Sequence, residues 1–329
     1  MKSIWYGKNP LRYLLLPFSF LFWVLSGFRR ILYVFHLKKT QRFSAPVIVV
    51  GNITVGGTGK TPLVVWLSQH LLSLGYRPGI VARGYGGKAT HWPQQVRPDS
   101  DPVMVGDEAV LLARLSGCPV CVAPDRPAAV RELLAHTDCD IVLSDDGLQH
   151  YAMGRDLEIV VIDGERGFGN GFLLPAGPLR ELPSRLRRAN LLISNGLWRE
   201  GVPSMTIKEP LVLPLLNLSE HPQPLSRAAG ERVHGVAGTG NPQRFFTLLE
   251  HYGLNVIPHA FRDHRVYRQK DLAFDDALPV LMTEKDAVKY ARFATDRHWL
   301  VRIEMAPDPE FVKELDRLLQ GLKHGQKAA

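Results

Sequence analysis

The chain has 329 residues, 45% of them hydrophobic, which excludes a disordered polypeptide and leaves room for one large domain beside a smaller one. Its formal charge of +8 is unevenly placed: Met1 to Pro98 holds thirteen Lys or Arg and no Asp or Glu, whereas the remainder holds 27 basic and 32 acidic residues. Only three cysteines occur, Cys118, Cys121 and Cys139, too few for a disulfide framework and in keeping with a reducing cytosol.

From Tyr13 to Phe28 runs a charge-free segment rich in Leu and Phe, followed by Arg29, Arg30, Ile31 to Leu37, and then Lys38, Lys39 and Arg42. Charge on both flanks and the lack of a small-residue cleavage pattern argue against a secretory leader. The sixteen charge-free residues fall short of the roughly 20 that a spanning helix needs. A core helix and a membrane-embedded anchor both fit, and the flanking bases together with Trp5, Tyr6, Trp23 and Tyr33 favour the anchor. Eight Lys or Arg precede Phe43, and each contributes about 1 kcal/mol beside an anionic leaflet, so surface attachment requires no crossing.

The β-branched run Val47 to Val50 predicts a strand, and Pro62 to Leu74 predicts a helix. Between them lies a glycine loop containing Thr54, Val55, Gly56, Gly57, Thr58, Gly59, Lys60 and Thr61. Strand, glycine loop and helix in that order form a phosphate cradle: backbone N–H groups wrap the phosphates, Lys60 meets the β- and γ-phosphates, and the Thr61 hydroxyl reaches Mg²⁺. The strict pattern asks for Gly where Thr54 stands, so this is a variant loop, like that of membrane-associated and partition-type ATPases.

Farther on, Arg83-Gly84-Tyr85 follows a strand over Gly79 to Ala82, and Gly106-Asp107-Glu108 opens a helix over Ala109 to Leu115. A surface turn and an N-terminal acidic cap are the plain accounts of these two. Cys118-Pro-Val-Cys121 runs into a buried strand over Val120 to Ala123, which reads as packing better than as a redox or zinc pair. Ile141 to Leu143 predicts a strand that ends near Asp145-Asp146-Gly147, supplying the carboxylate that a Mg²⁺-bound nucleotide needs at the end of a neighbouring parallel strand. Ile159 to Asp163 repeats the pattern. Strands and helices thus alternate from Val47 to Ser194, which predicts an α/β fold with a mainly parallel sheet covered on both faces and ligands at its carboxyl edge.

Pro175 to Glu181 is rich in turn formers and ends in Arg180-Glu181. In the last third, Phe261-Arg262-Asp263-His264 reads as a loop, and Thr283-Glu284-Lys285-Asp286 as a helix capping box that needs no other role. The expected organisation is a membrane-associating helix over 1–42, a P-loop domain over 43–225 and a smaller α/β lobe over 226–329, with an unordered tail after Leu322.

Taken together, these motifs resemble the tetraacyldisaccharide 4′-kinase family along nearly the whole chain: Val49 to Pro62, Arg83-Gly84-Tyr85, Gly106-Asp107-Glu108, Asp145-Asp146-Gly147-Leu148-Gln149-His150, Leu174 to Glu181, Phe261 to His264 and Thr283 to Lys289 recur in order. The resemblance implies transfer of the ATP γ-phosphate, with Mg²⁺, to the 4′-hydroxyl of a tetraacylated glucosamine disaccharide 1-phosphate at the cytosolic face of the bacterial inner membrane. It also implies two lobes joined by a two-stranded linker. Position by position, it implies Asp107 as the base assisted by His264, Lys60 and Arg180 acting on phosphate charge, and metal ligands drawn from Thr61, Glu108, Asp145 and Asp146. Arg126 is a further candidate phosphate partner, and the N-terminal bases are candidates for the acceptor's 1-phosphate. The rival reading is a membrane-associated ATPase switch of the partition or targeting type, but such proteins usually carry a signature Lys where Val55 stands. Nucleic acid is not an expected partner, since the bases cluster with an apolar segment and no stacking platform accompanies them.

Overall fold

The computed structural model describes residues 2–218 and 220–327. The strands of the first two-thirds are β1 (Val47–Gly51), β2 (Pro78–Ala82), β3 (Gln94–Val96), β4 (Val120–Val122), β5 (Ile141–Asp145), β6 (Leu157–Asp163), β7 (Leu191–Asn195) and β8 (Ser204–Ile207). With a last strand, β15 (Met305–Pro307), they form one sheet in the order β15-β8-β7-β6-β1-β5-β2-β4-β3. Every pairing from β8 to β4 is parallel, and the edge strands β3 and β15 are antiparallel.

Side chains alternate across a strand, so β1 sends Ile48 and Val50 into one core and Val47 and Val49 into another. Both faces are therefore covered, which explains the continuous apolar runs of these strands. The first core contains Leu63 and Leu67 of α4 (Lys60–Ser73), Val110 of α6 (Asp107–Ser116), and Phe311, Leu315 and Leu319 of the last helix, α10 (Pro309–Lys327). The second contains Val130 and Leu133 of α7 (Arg126–His136), with Met153 and Leu148 from the helix-free crossover between β5 and β6. A four-residue turn, α5 (Pro102–Val105), precedes α6. Cys118 and Cys121 are buried in the two cores and are free thiols.

At the N-terminus, α1 (Lys2–Trp5) and α2 (Leu11–Leu14) lead into α3 (Leu16–Val34). Helix α3 is seated by Ser19, whose hydroxyl donates to the Leu173 carbonyl at 2.8 Å and accepts from the Ala176 N–H at 3.0 Å, and by Phe22 against the second core. The rest of its apolar surface faces outward: Phe18, Phe20, Leu21, Leu25 and Phe28 are each more than half exposed. Among the described residues, no helix is long and apolar enough to cross a membrane.

The second sheet comprises β9 (Leu211–Pro214), β10 (Gln223–Pro224), β11 (Arg232–Ala237), β12 (Asn255–Ala260), β13 (Val280–Thr283) and β14 (His298–Arg302), in the order β10-β9-β14-β13-β11-β12. Helices α8 (Pro242–His251) and α9 (Glu284–Tyr290) pack on it. The chain passes between the sheets twice, from β8 to β9 and from β14 to β15, and these strands pair antiparallel side by side. The smaller sheet thus draws on residues 211–302, beginning before the boundary expected at 225, and the segment from 305 onward belongs to the larger sheet. Helix α10 runs to Lys327, and Ala328 and Ala329, the end of the tail expected after Leu322 to be unordered, lie outside the described residues.

Candidate active site

The glycine loop leaves the carboxyl end of β1 and turns into α4 at Gly59, whose φ of 93° is open to glycine and strained for other residues. A Cβ there would also collide with the Asn195 amide and lie 2.8 Å from Met205 Cε. The loop is pinned from both sides. The Val55 N–H donates to the Pro178 carbonyl at 2.8 Å, the Arg180 N–H donates to the Ile53 carbonyl at 2.7 Å, and Asn195 Nδ2 donates to the Thr58 carbonyl at 3.2 Å.

Two carboxylates, Asp145 at the end of β5 and Asp146 just after it, have different surroundings. Asp146 meets Lys60 Nζ at 3.6 Å and accepts from Arg180 Nη1 at 3.0 Å on both oxygens. Burial alone would raise its pKa, but Lys60 and Arg180 outweigh that and bring it down to about 2. Asp145 accepts from the Thr61 hydroxyl at 3.2 Å through Oδ2, while its Oδ1 is buried without a hydrogen-bond partner. Burial pushes its carboxyl up to about 6, and repulsion from Glu108 and Asp146 works against the pull of Lys60. An orphaned, desolvated carboxylate beside the P-loop threonine fits a divalent cation. Of the other candidate ligands, Asp146 is engaged by two cations and Glu108 Oε1 holds Lys285 Nζ at 2.9 Å. Among the described residues, no three His, Cys, Asp or Glu side chains form a group able to hold a metal by themselves.

Asp107 opens α6 after Gly106, where φ is 95° and a Cβ would press on the Tyr85 carbonyl at 2.7 Å. The Arg83-Gly84-Tyr85 loop is thereby packed against the turn that presents Asp107. Asp107 is 4% exposed, and its Oδ1 lies 3.0 Å from Nδ1 of His264, which comes from the smaller lobe. Its Oδ2 has no hydrogen-bond partner and stands 3.9 Å from Lys285 Nζ and 3.7 Å from Lys289 Nζ. Burial opposes the charged form of Asp107, but the His264 bond and the two lysines prevail and lower its pKa; the same bond raises that of His264. The contact therefore favours the charged form of each partner.

The structure thus groups Lys60, Arg180 and Asp146, pairs Thr61 with Asp145, and joins Asp107 to His264. It changes the reading of two others. Arg126 is 1% exposed and donates to the Asp145 carbonyl at 2.8 Å and the Ala123 carbonyl at 3.3 Å, so it braces the turn after β5 from below and is hidden from phosphate. Lys285 is more than a residue inside a capping box: it reaches Glu108 and Asp263 at 2.9 Å each and ties the lobes together beside Asp107. Asn195 was not legible as a site residue, yet it holds the Thr58 carbonyl and accepts from Arg244 Nη2 of the smaller lobe at 2.7 Å. An asparagine at the end of an apolar strand is the only local signal it offers.

The family model described as tetraacyldisaccharide-1-P 4′-kinase matches residues 11–320. A tetraacyldisaccharide 4′-kinase of Nitrosococcus oceani is 51% identical over 321 residues, covering 96% of this chain and 93% of the relative. One of Alkalilimnicola ehrlichii is 48% identical over 332 residues, covering 98% and 97%. The fold is similar to that of LpxK from Aquifex aeolicus in complex with ATP, with a TM-score of 0.77 and 28% identity over 94% of this chain and 98% of that one.

Proposed function

The chain belongs to the tetraacyldisaccharide-1-P 4′-kinase family and is an ATP-dependent kinase of lipid A synthesis acting on a lipid disaccharide phosphate; we propose that Asp107 and His264 together receive the proton of its acceptor hydroxyl. The observation that carries this assignment is the 3.0 Å contact between Asp107 and His264 across the two lobes. A sugar hydroxyl loses its proton only as the new phosphorus–oxygen bond forms, and an ionised carboxylate oriented by an imidazole is suited to take it.

Lys60 and Arg180 supply positive charge to phosphoryl oxygens, since transfer of this kind is catalysed by positioning and electrostatic stabilisation. In the resting arrangement both rest on Asp146, which holds them beside the loop. Thr61 and Asp145 are the residues suited to Mg²⁺; when bound, the ion would neutralise charge on the β- and γ-phosphate oxygens.

The outer face of α3 lies in the cytosolic leaflet of the bacterial inner membrane in this proposal. Its support is the exposed apolar stripe from Phe18 to Phe28, together with eight Lys or Arg and no acid before Phe43. An acylated acceptor stays in the bilayer, so an enzyme lying on that surface meets it at high local concentration.

With γ-labelled ATP and the acceptor in mixed micelles, label should enter the lipid extract. Asp107→Ala should abolish that transfer while leaving ATP binding near that of the parent. Full transfer by Asp107→Ala would remove Asp107 from the reaction.

A further inference from the structure

We propose that a cavity beneath the C-terminal half of α3 is a second anion site, which takes a phosphate group carried by a membrane lipid. The cavity measures about 380 Å³ and lies between α3, the amino ends of β1 and β6, and the short turn Pro183–Arg188. The nucleotide loop is at the opposite, carboxyl edge of the same sheet.

Its walls carry an excess of guanidinium groups. Glu158 is already engaged by Arg155 at 3.0 Å and by Arg185 at 2.6 Å, and Asp156 accepts from the Val47 N–H at 2.8 Å. The side chains of Arg30, Arg42 and Arg188 also line the cavity, and none makes a hydrogen bond or ion pair with the described residues. A second observation is independent of that count. Arg185, also in the wall, is 6% exposed and is held by Glu158 at 2.6 Å and Glu181 at 3.4 Å, while its Nη1 has no hydrogen-bond partner. Guanidinium forks match phosphate oxygens in geometry and charge, and like charges held around a concavity favour an anion between them.

The lip of the cavity selects a lipid over a free ion. Val34 lines it and is 57% exposed, and Phe28 and Ile31 continue the apolar surface along α3. Tyr33 and Tyr151, with ring centroids 5.9 Å apart, form part of the wall. A phosphate inside and acyl chains along α3 is the arrangement that suits both surfaces. The inference rests on the membrane reading of α3, and the phosphate comes either from the acceptor itself or from an anionic bilayer lipid.

The test uses the full chain with Arg42→Gln and Arg188→Gln combined, both exposed positions, and Arg42→Lys with Arg188→Lys as the conservative pair. One arm measures flotation with phosphatidylcholine vesicles and with vesicles containing phosphatidylglycerol. The other measures kinetics in neutral detergent with the acceptor and with its 1-dephosphorylated form. Loss of binding by about thirtyfold, confined to phosphatidylglycerol vesicles, assigns the site to a bilayer lipid. A rise in KM of about tenfold, confined to the phosphorylated acceptor, assigns it to the substrate. The Lys pair should recover most of either effect. Glutamine variants that match the parent in both arms overturn the site. Failure of the parent to bind either kind of vesicle would instead remove the membrane reading of α3, and the kinetic arm would still decide the cavity.

Discussion

Asp107 Oδ1 and His264 Nδ1 stand 3.0 Å apart although they belong to different lobes and are separated by 157 positions in the chain. The pair proposed to take the acceptor proton is thus assembled only when the lobes are in register. His264→Ala should lower kcat by about 10²- to 10⁴-fold, the usual yield of positioned acid–base groups, with the Kd for ATP near that of the parent by calorimetry. An unchanged kcat would leave His264 a merely structural link.

Lys285 sits beside the same carboxylate and favours its charged form. With Asp107 in the proposed role of base, the rate should fall as that carboxylate takes up a proton, so removing this cation should move the acid limb of kcat/KM to higher pH. Lys285→Met should show that displacement and Lys285→Arg should not. A Lys285→Met profile superimposable on the parent's would confine the lysine to holding the lobes together.

Asp145 links function to stability with opposite signs. Its folded pKa is raised from 3.8 to about 6, so folding is penalised as pH rises from about 4 to 6 and fully above that. Asp145→Asn should therefore stabilise the metal-free protein at pH 7 by at most about 3 kcal/mol, while lowering kcat at least about 100-fold. Denaturant melts with and without Mg²⁺ check both halves. A destabilised, fully active variant would contradict them.

Gly59→Ala tests the tight seat of the loop. The added methyl meets the Asn195 amide and Met205 Cε in a conformation already strained for alanine. A loss of about 2–4 kcal/mol in stability and a sharp fall in ATP affinity are expected, read by thermal melts and nucleotide titration. Wild-type affinity would show that Asn195 yields freely.

Legibility in the sequence followed the range of each interaction. The loop from Thr54 to Thr61 could be read because its chemistry is local: turn, phosphate donors, lysine and hydroxyl are consecutive. The alternation of strands and helices gave the parallel sheet for the same reason. Lys285 could not be read, because Thr283 and Asp286 already explain the motif as a cap and its partners Glu108 and Asp263 come from elsewhere. Arg126 misled in the opposite direction. A spare cation in a phosphoryl-transfer enzyme suggests a phosphate partner, and only the tertiary fold shows its guanidinium spent on two carbonyls.

The side-by-side strands that join the two sheets make the smaller lobe an insertion, entered and left at one seam. Cutting the chain after β14 would not yield a trimmed kinase body. It would strip away Phe311, Leu315 and Leu319, which lie in the core shared with Leu63 and Leu67 of the nucleotide helix, and the His70–Asp316 contact of 2.7 Å. The turn of chain from Phe311 to Leu319 is thus a backstop for the phosphate-gripping end, and removing it would loosen a site that lies far away in sequence.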